Sequence, residues 1–320
     1  MHVTDEPRIR LEGVSKLYDD GTTAVDDLSL DVRAGELAVL VGPSGCGKTT
    51  TMKMVNRLIE PTRGRVLLDG EDVARTDPVK LRRRVGYVIQ QVGLFPHQTV
   101  RDNVATVPVL LGWDRTRTRK RVEELLDLVG LAPGTYAGRY PSQLSGGQRQ
   151  RVGVARALAA DPLVLLMDEP FSAVDPIARE HLQTEFLRVQ QELRTTVLFV
   201  THDIDEAVRL GDRIAVLREG GHLEQYAEPA TVLGQPATAF VAGFVGADRA
   251  VKRLSVTPID PTALEPYDGD VTTSVPADAD LGRALALLLE TRDDRIAVVA
   301  DDGRRLGTIT IAALLAQARR

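Results

Sequence analysis

Residues 42–49 read GPSGCGKT, and this stretch decides the fold. It fills every position of the pattern G-x-x-x-x-G-K-[ST]. The run before it ends in LAVLVG, and the apolar-periodic stretch TTMKMVNRLIE (residues 50–60) follows, so the loop is expected to join a strand to a helix. Gly42, Gly45 and Gly47 let backbone N–H groups converge on phosphate oxygens. The helix opening after Lys48 points its positive end at the same place. The Lys48 ammonium is suited to β- and γ-phosphate charge, and the Thr49 hydroxyl to Mg²⁺. Pro43, Ser44 and Cys46 fill the variable positions, and Thr50 continues the cradle into the helix. Cys46 reads as non-catalytic, with a bulky adduct on its thiol expected to obstruct a nucleotide.

Outward from this loop, IRLEGVSKLY (9–18), GRVLLDG (64–70) and RRVGYVIQ (83–90) read as strands, and Pro61 and Gly64 close the first helix. From about residue 91 to 160 the pattern is helical. TVRDNVATVPVLLGW begins with a threonine cap, and RTRKRVEELLDLVGL and LSGGQRQRVGVARALAADP follow. LVLLMDEP and TVLFVTHD are continuous apolar strands, as expected of strands buried on both faces of a parallel sheet. A helix (PIARE to QELR) lies between them, and RIAVLREGGHLEQY forms a hairpin with a Gly-Gly turn. The expected class is α/β: a P-loop NTPase with a parallel sheet, an antiparallel β subdomain and a helical insertion over residues 1–246. Residues 247–270 read as a Pro- and Asp-rich linker. Residues 271–320 show a compact β-α-β-β-α pattern.

The net charge of −5 argues against bulk nucleic-acid binding, which uses basic surfaces. No apolar run approaches the roughly 18 residues a bilayer span needs. The start, MHVTDEPRIR, carries acids where a signal peptide is basic and apolar, so a cytoplasmic location is expected. The single cysteine excludes an internal disulfide.

Asp168, at the end of LVLLMD, can join a Mg²⁺ shell, and Glu169 beside it is placed to polarise a water. His202 follows a strand of the kind that lies next to the Mg²⁺ strand, and so is expected near the γ-phosphate. Gln90 is a candidate water- and metal-sensing amide; Gln91 is its rival, and the spacing to LFPH favours Gln90. Tyr18 can stack on adenine, or can be a strand residue packed in the sheet. LSGGQ (144–148) is a second glycine-rich anion cradle that opens a helix without a ligand of its own.

The phosphate loop, Gln90, LSGGQ, LLMDEP, SAVD and THD, in this order, resemble the ATP-binding subunit of an ABC transporter over about residues 8–246. The resemblance implies two such chains paired head to tail, each signature loop capping the ATP held by the other's P-loop. Ser145, Gly146 and Gly147, with Gln148 beside them, would contact the partner's γ-phosphate. Asp175 would cross the interface and couple the two sites. Glu169 would be the general base and His202 the residue holding water and γ-phosphate in line. It also implies ATP and Mg²⁺, two integral-membrane permease subunits contacting the region after Gln90 (LFPH, 94–97), an extracytoplasmic substrate-binding protein, and a place on the cytoplasmic face of the membrane.

TMKMVNRLIEPTRG and GYVIQQVGLFPHQTVRDNVATVPVLLGW are similar to importers of quaternary-amine osmoprotectants such as glycine betaine, carnitine and choline. GADRAVKRLS and the C-terminal pattern resemble the cystathionine β-synthase-type (CBS) region of those importers. Relatives usually carry two such modules, and residues 271–320 hold one, which is expected to pair across a dimer. The module's nucleotide signature ends in a Thr and then an Asp. Here Thr310 is followed by Ala313 at the Asp position, which favours a dimer brace or an ionic-strength sensor over adenosine binding. The rival within transport is an importer of amino acids or polyamines. A soluble ABC ATPase of translation or DNA repair would bring two cores in one chain or long coiled coils, and a dead ATPase would bring a broken motif.

Overall fold

The computed structural model describes residues 7–89, 93–172, 174–267 and 271–318. By compactness the chain divides into two units, Met1–Tyr226 and Ala227–Arg320. In chain order the first unit comprises β1 (Pro7–Leu17), β2 (Thr23–Arg33), β3 (Leu37–Val41), α1 (Lys48–Val55), β4 (Arg63–Leu68), β5 (Glu71–Asp72), α2 (Pro78–Arg83) and β6 (Val85–Val88). The helical insertion follows as α3 (Val100–Leu110), α4 (Arg115–Leu128), α5 (Pro133–Tyr136) and α6 (Gly146–Leu158). The chain then returns through β7 (Val164–Asp168), α7 (Pro176–Leu193), β8 (Thr196–Thr201), α8 (Ile204–Leu210), β9 (Arg213–Arg218) and β10 (His222–Ala227).

A six-stranded sheet runs β10-β9-β3-β8-β7-β6, and a four-stranded antiparallel sheet runs β2-β1-β4-β5. β3, β7 and β8 are buried along their whole length, which is why their sequences lack alternation. β2 alternates buried and exposed positions, because one face of the antiparallel sheet meets water. Its inner residues, Val25, Leu28 and Leu30, join Leu40, Val200 and Met52 in one core.

The parallel register decides where chemistry collects. β3 lies beside β8, with Val41 opposite Thr201, and β8 lies beside β7, with Val200 opposite Asp168. The segments leaving the carboxyl ends of three adjacent strands are therefore the loop from Gly42, the turn at Glu169 and the turn at His202. This edge of an open α/β sheet is where ligands bind.

The first helix is shorter than expected. The helix expected through Glu60 ends at Val55, with Asn56 as its cap and Arg57 in the left-handed region at φ 46°. Between β2 and β3 the chain turns at Gly35, whose φ is 78°.

The second unit contains α9 (Pro229–Gly234), α10 (Ala239–Val245), α11 (Arg249–Leu254), β11 (Ser274–Pro276), α12 (Leu281–Thr291), β12 (Arg295–Val299), β13 (Arg305–Thr310) and α13 (Ile311–Ala318). The β-α-β-β-α order read from the sequence is present, as a three-stranded sheet β11-β12-β13. Residues expected as a linker contribute to this unit. Leu254 and Ile259 sit in its core with Leu281, Ile296 and Ile309, and Glu265 exchanges backbone hydrogen bonds with Thr308.

Candidate functional site: the phosphate loop and the three strand ends

The loop after β3 leaves no room for side chains at two of its glycines. A Cβ on Gly47 would lie 2.2 Å from the Ala24 carbonyl oxygen, and its φ of 89° is left-handed. A Cβ on Gly42 would lie 2.1 Å from the Leu217 carbonyl oxygen on β9. Pro43, Ser44 and Gly45 stand exposed at the crest of the loop. Lys48 is 5% exposed, and its ammonium donates to the carbonyls of Gly42 at 2.7 Å and Pro43 at 2.9 Å. The cation is thus folded over the loop, next to where phosphate oxygens would meet the N–H groups. Thr50 continues α1, and Thr51 Oγ1 donates to the Gly47 carbonyl.

Cys46 is fully buried, with its sulfur 3.6 Å from the Lys48 ammonium. Burial pushes its thiol pKa up, against the pull of the neighbouring Lys48. The cradle can use only the backbone of Cys46, and the expected obstruction by an adduct has a prior step: the sulfur must first be uncovered.

The Thr49 hydroxyl donates to Asp168 Oδ1 at 3.1 Å. Burial holds the Asp168 carboxyl above its ordinary range, opposed first by the Thr49 hydrogen bond; Glu169 adds to the rise, while Lys53 and Lys48 oppose it. A hydroxyl and a carboxylate at this separation are hard oxygen donors of the kind Mg²⁺ takes when phosphates complete its shell. Glu169 has a left-handed backbone, φ 44°, costly for a residue with a Cβ. The turn is pinned: its N–H donates to the Val200 carbonyl at 3.0 Å, and its carbonyl accepts from Ser172 Oγ at 2.9 Å. This turn brings Glu169 Oε1 to 3.2 Å from His202 Nδ1, an imidazole that is more than half exposed. The sequence set Glu169 and His202 33 residues apart; the structure brings them together.

Tyr18 stands in the turn between β1 and β2, 39% exposed, with Lys16 Nζ 5.4 Å from its ring centre. It is not packed in the sheet, so a ring face is available for stacking. Gln90 and Gln91 lie outside the described residues. Asn103, fully buried, pins the LFPH loop: its Nδ2 donates to the carbonyls of Phe95, Gln98 and Thr99, and its Oδ1 accepts from Phe95 N–H. Phe95 nevertheless remains 41% exposed.

A scan against protein-family models matches residues 25–172 to the ABC transporter family. The osmoprotectant import ATP-binding protein OsmV of Salmonella typhimurium is 48% identical over 305 residues, 94% of this chain and 78% of that protein. The chain belongs to the ABC transporter family. The glycine betaine/carnitine/choline transport ATP-binding protein OpuCA of Bacillus subtilis is 49% identical over 91% of this ABC chain and 75% of the relative. Among solved structures, a dimeric bacterial ABC transporter cassette superposes with a TM-score of 0.62 at 35% identity, covering 69% of this chain and 98% of the other.

The signature loop of this ABC protein has a local device that the sequence reading missed. Ser145 caps α6: its Oγ accepts from Gln148 N–H at 3.3 Å, and Gln148 Oε1 accepts from Ser145 N–H at 3.0 Å. This is a capping box, legible from Ser145 followed three residues later by a glutamine. Gln148 Nε2 also donates to the Tyr136 hydroxyl at 3.2 Å, and the Arg149 guanidinium donates to the Leu144 carbonyl at 2.7 Å. Gln148 is therefore a brace for the loop, while Ser145 and Gly146 stay exposed at the tip. Asp175 likewise caps α7, accepting from Ala178 N–H at 3.0 Å, and remains exposed.

Proposed function

We propose that this chain is the ATP-hydrolysing subunit of an importer of quaternary-amine solutes of the glycine betaine, choline and carnitine type, with catalysis at the interface of a head-to-tail homodimer. The observation that carries the catalytic reading is the meeting of Thr49 with Asp168 and of Glu169 with His202 at three adjacent strand ends. The solute class is supported by the names of OsmV and OpuCA and by the share of the chain they match.

Phosphoryl transfer needs positioning and charge stabilisation more than covalent chemistry. Lys48 would exchange the Gly42 and Pro43 carbonyls for phosphate oxygens. The Glu169 carboxylate would accept the proton of an attacking water, with His202 holding that water and the γ-phosphate in line. Thr49 and Asp168 would hold Mg²⁺, which when bound neutralises phosphate charge. Tyr18 would stack on adenine. The tip formed by the exposed Ser145 and Gly146 with the half-buried Gly147, where α6 presents its positive end, would complete the site of the second copy, and Asp175 would link the two sites.

No helix among the described residues is long and apolar enough to cross a membrane. Two permease subunits would therefore supply the path and dock near Phe95, on the cytoplasmic face, with a binding protein delivering solute from outside. The module at 271–320 would brace the dimer or respond to ionic strength.

Glu169→Gln should retain ATP, accumulate a closed dimer in gel filtration and lose at least about 100-fold in turnover, the usual worth of a general base. Unimpaired hydrolysis would remove Glu169 from this role. Dimers in which one of two chains carries Ser145→Arg should fail at the P-loop of the other chain; failure at the variant's own P-loop would contradict completion in trans. Uptake assays in the assembled transporter, using glycine betaine against spermidine and an amino acid, decide the solute.

A further inference from the structure

Glu206 is a buried carboxylate that the reading above does not use. It lies on α8 and is 9% exposed, where an ion is costly unless its partners are fixed. Those partners come from two other elements. Gln183 of α7, 4% exposed, donates its Nε2 to Glu206 Oε1 at 2.9 Å. The Thr201 hydroxyl, at the end of β8 and 1% exposed, lies beside the carboxylate and favours its charged form.

The threonine hydroxyl has one proton and can accept as well. It accepts from Asp203 N–H at 3.0 Å. Asp203 in turn caps α8, its Oδ1 accepting from Asp205 N–H at 2.8 Å and Glu206 N–H at 3.4 Å. Both neighbours of His202 in the chain are thus tied into a network centred on Glu206.

The other side of the network reaches the beginning of α7. Arg179 lies one turn before Gln183, and its charge acts on the Glu206 carboxylate. The Arg179 guanidinium donates to the Val174 carbonyl at 3.0 Å, the residue next to Asp175.

We propose that Glu206 is a positioning residue that holds the His202 turn in register with the start of α7, so that the imidazole meets Glu169 and the bound nucleotide correctly. A carboxylate suits this position because it accepts from the Gln183 amide while presenting only acceptor oxygens to the Thr201 hydroxyl beside it. A glutamine would turn an N–H₂ group toward one of the two donors. The inference rests on the role given above to His202.

The test uses the full chain in its assembled transporter, comparing wild type, Glu206→Gln, His202→Ala and the double variant in steady-state ATPase assays. Glu206→Gln should lower kcat about tenfold, within the range that misplacement of a catalytic group costs, with KM for ATP held. In the His202→Ala background the same change should cost nothing further, since residues acting as one unit are not additive. Thr201→Val should reproduce the loss and Thr201→Ser should restore it, which reads the same network if Glu206→Gln does not fold. An equal loss in both backgrounds, or unchanged kcat for Glu206→Gln and Thr201→Val, overturns the proposal. If His202→Ala itself turns over like wild type, the assignment of His202 falls and this proposal with it. If His202→Ala is impaired and Glu206→Gln is not, only this proposal falls.

Discussion

Gly47 has the Ala24 carbonyl where a methyl group would go, and a backbone turned left-handed besides. Gly47→Ala should therefore remove nucleotide binding in a fluorescent-ATP titration and cost roughly 1–3 kcal/mol of stability from backbone strain alone. Gly45→Ala, with nothing within 4 Å of its Cβ, should cost less despite its φ of 85°. A tighter melting curve for Gly47→Ala would contradict the geometry. Glu206 gives a pH test of a different sort. Burial holds its carboxyl above the ordinary glutamate range, against the Thr201 hydroxyl and the Gln183 hydrogen bond. A group whose folded pKa is raised contributes fully below its unfolded pKa and loses that contribution as pH rises through the folded one. Glu206→Gln should thus gain in melting temperature relative to wild type as pH climbs upward from the ordinary glutamate range. A relative loss over that climb would show the carboxylate to be favoured by folding.

The strand β8 carries both ends of the argument, its end residue beside His202 and its middle beside an aromatic cluster. Phe199 on β8 lies 5.9 Å from Phe171 and 6.5 Å from Phe186 on α7, ring centre to ring centre. This cluster seats α7 against the sheet, so Phe199→Ala should cost about 3–5 kcal/mol in denaturant unfolding. A cost below about 1 kcal/mol would mean the site collapses without a cavity. What the sequence revealed follows the same physics. β3, β7 and β8 are legible because burial on both faces forces continuous apolar runs. The Thr99 cap is legible because its oxygen serves the Asp102 N–H three residues on. The end of α1 was not legible, because MVNRLI keeps a helical rhythm while Asn56 caps and Arg57 turns left-handed. Nor does any local pattern disclose the left-handed Glu169 or the Gln183–Glu206 pair, which depend on segments distant in the chain. The Ser145–Gln148 box was written in the sequence and overlooked because a phosphate role for LSGGQ explained the same letters.

The division at Tyr226 changes how the chain should be cut. A protein ending at residue 270 would keep Leu254 and Ile259 but lose Val275, Leu281 and Ile309, against which they are buried. It should aggregate in size-exclusion runs more than one ending at residue 228. The shorter protein should keep ATP binding, while the assembled transporter built from it should lose its response to salt if the second unit senses ionic strength; an unchanged response would leave that unit a brace. The same chain holds one sulfhydryl in all its 320 residues, sealed under the phosphate loop. A maleimide at neutral pH finds no other thiol, and the buried group is poor in thiolate there. Each labelled molecule therefore records a moment when the loop came open. The chain keeps its own clock of breathing at the nucleotide site, and ATP should slow it.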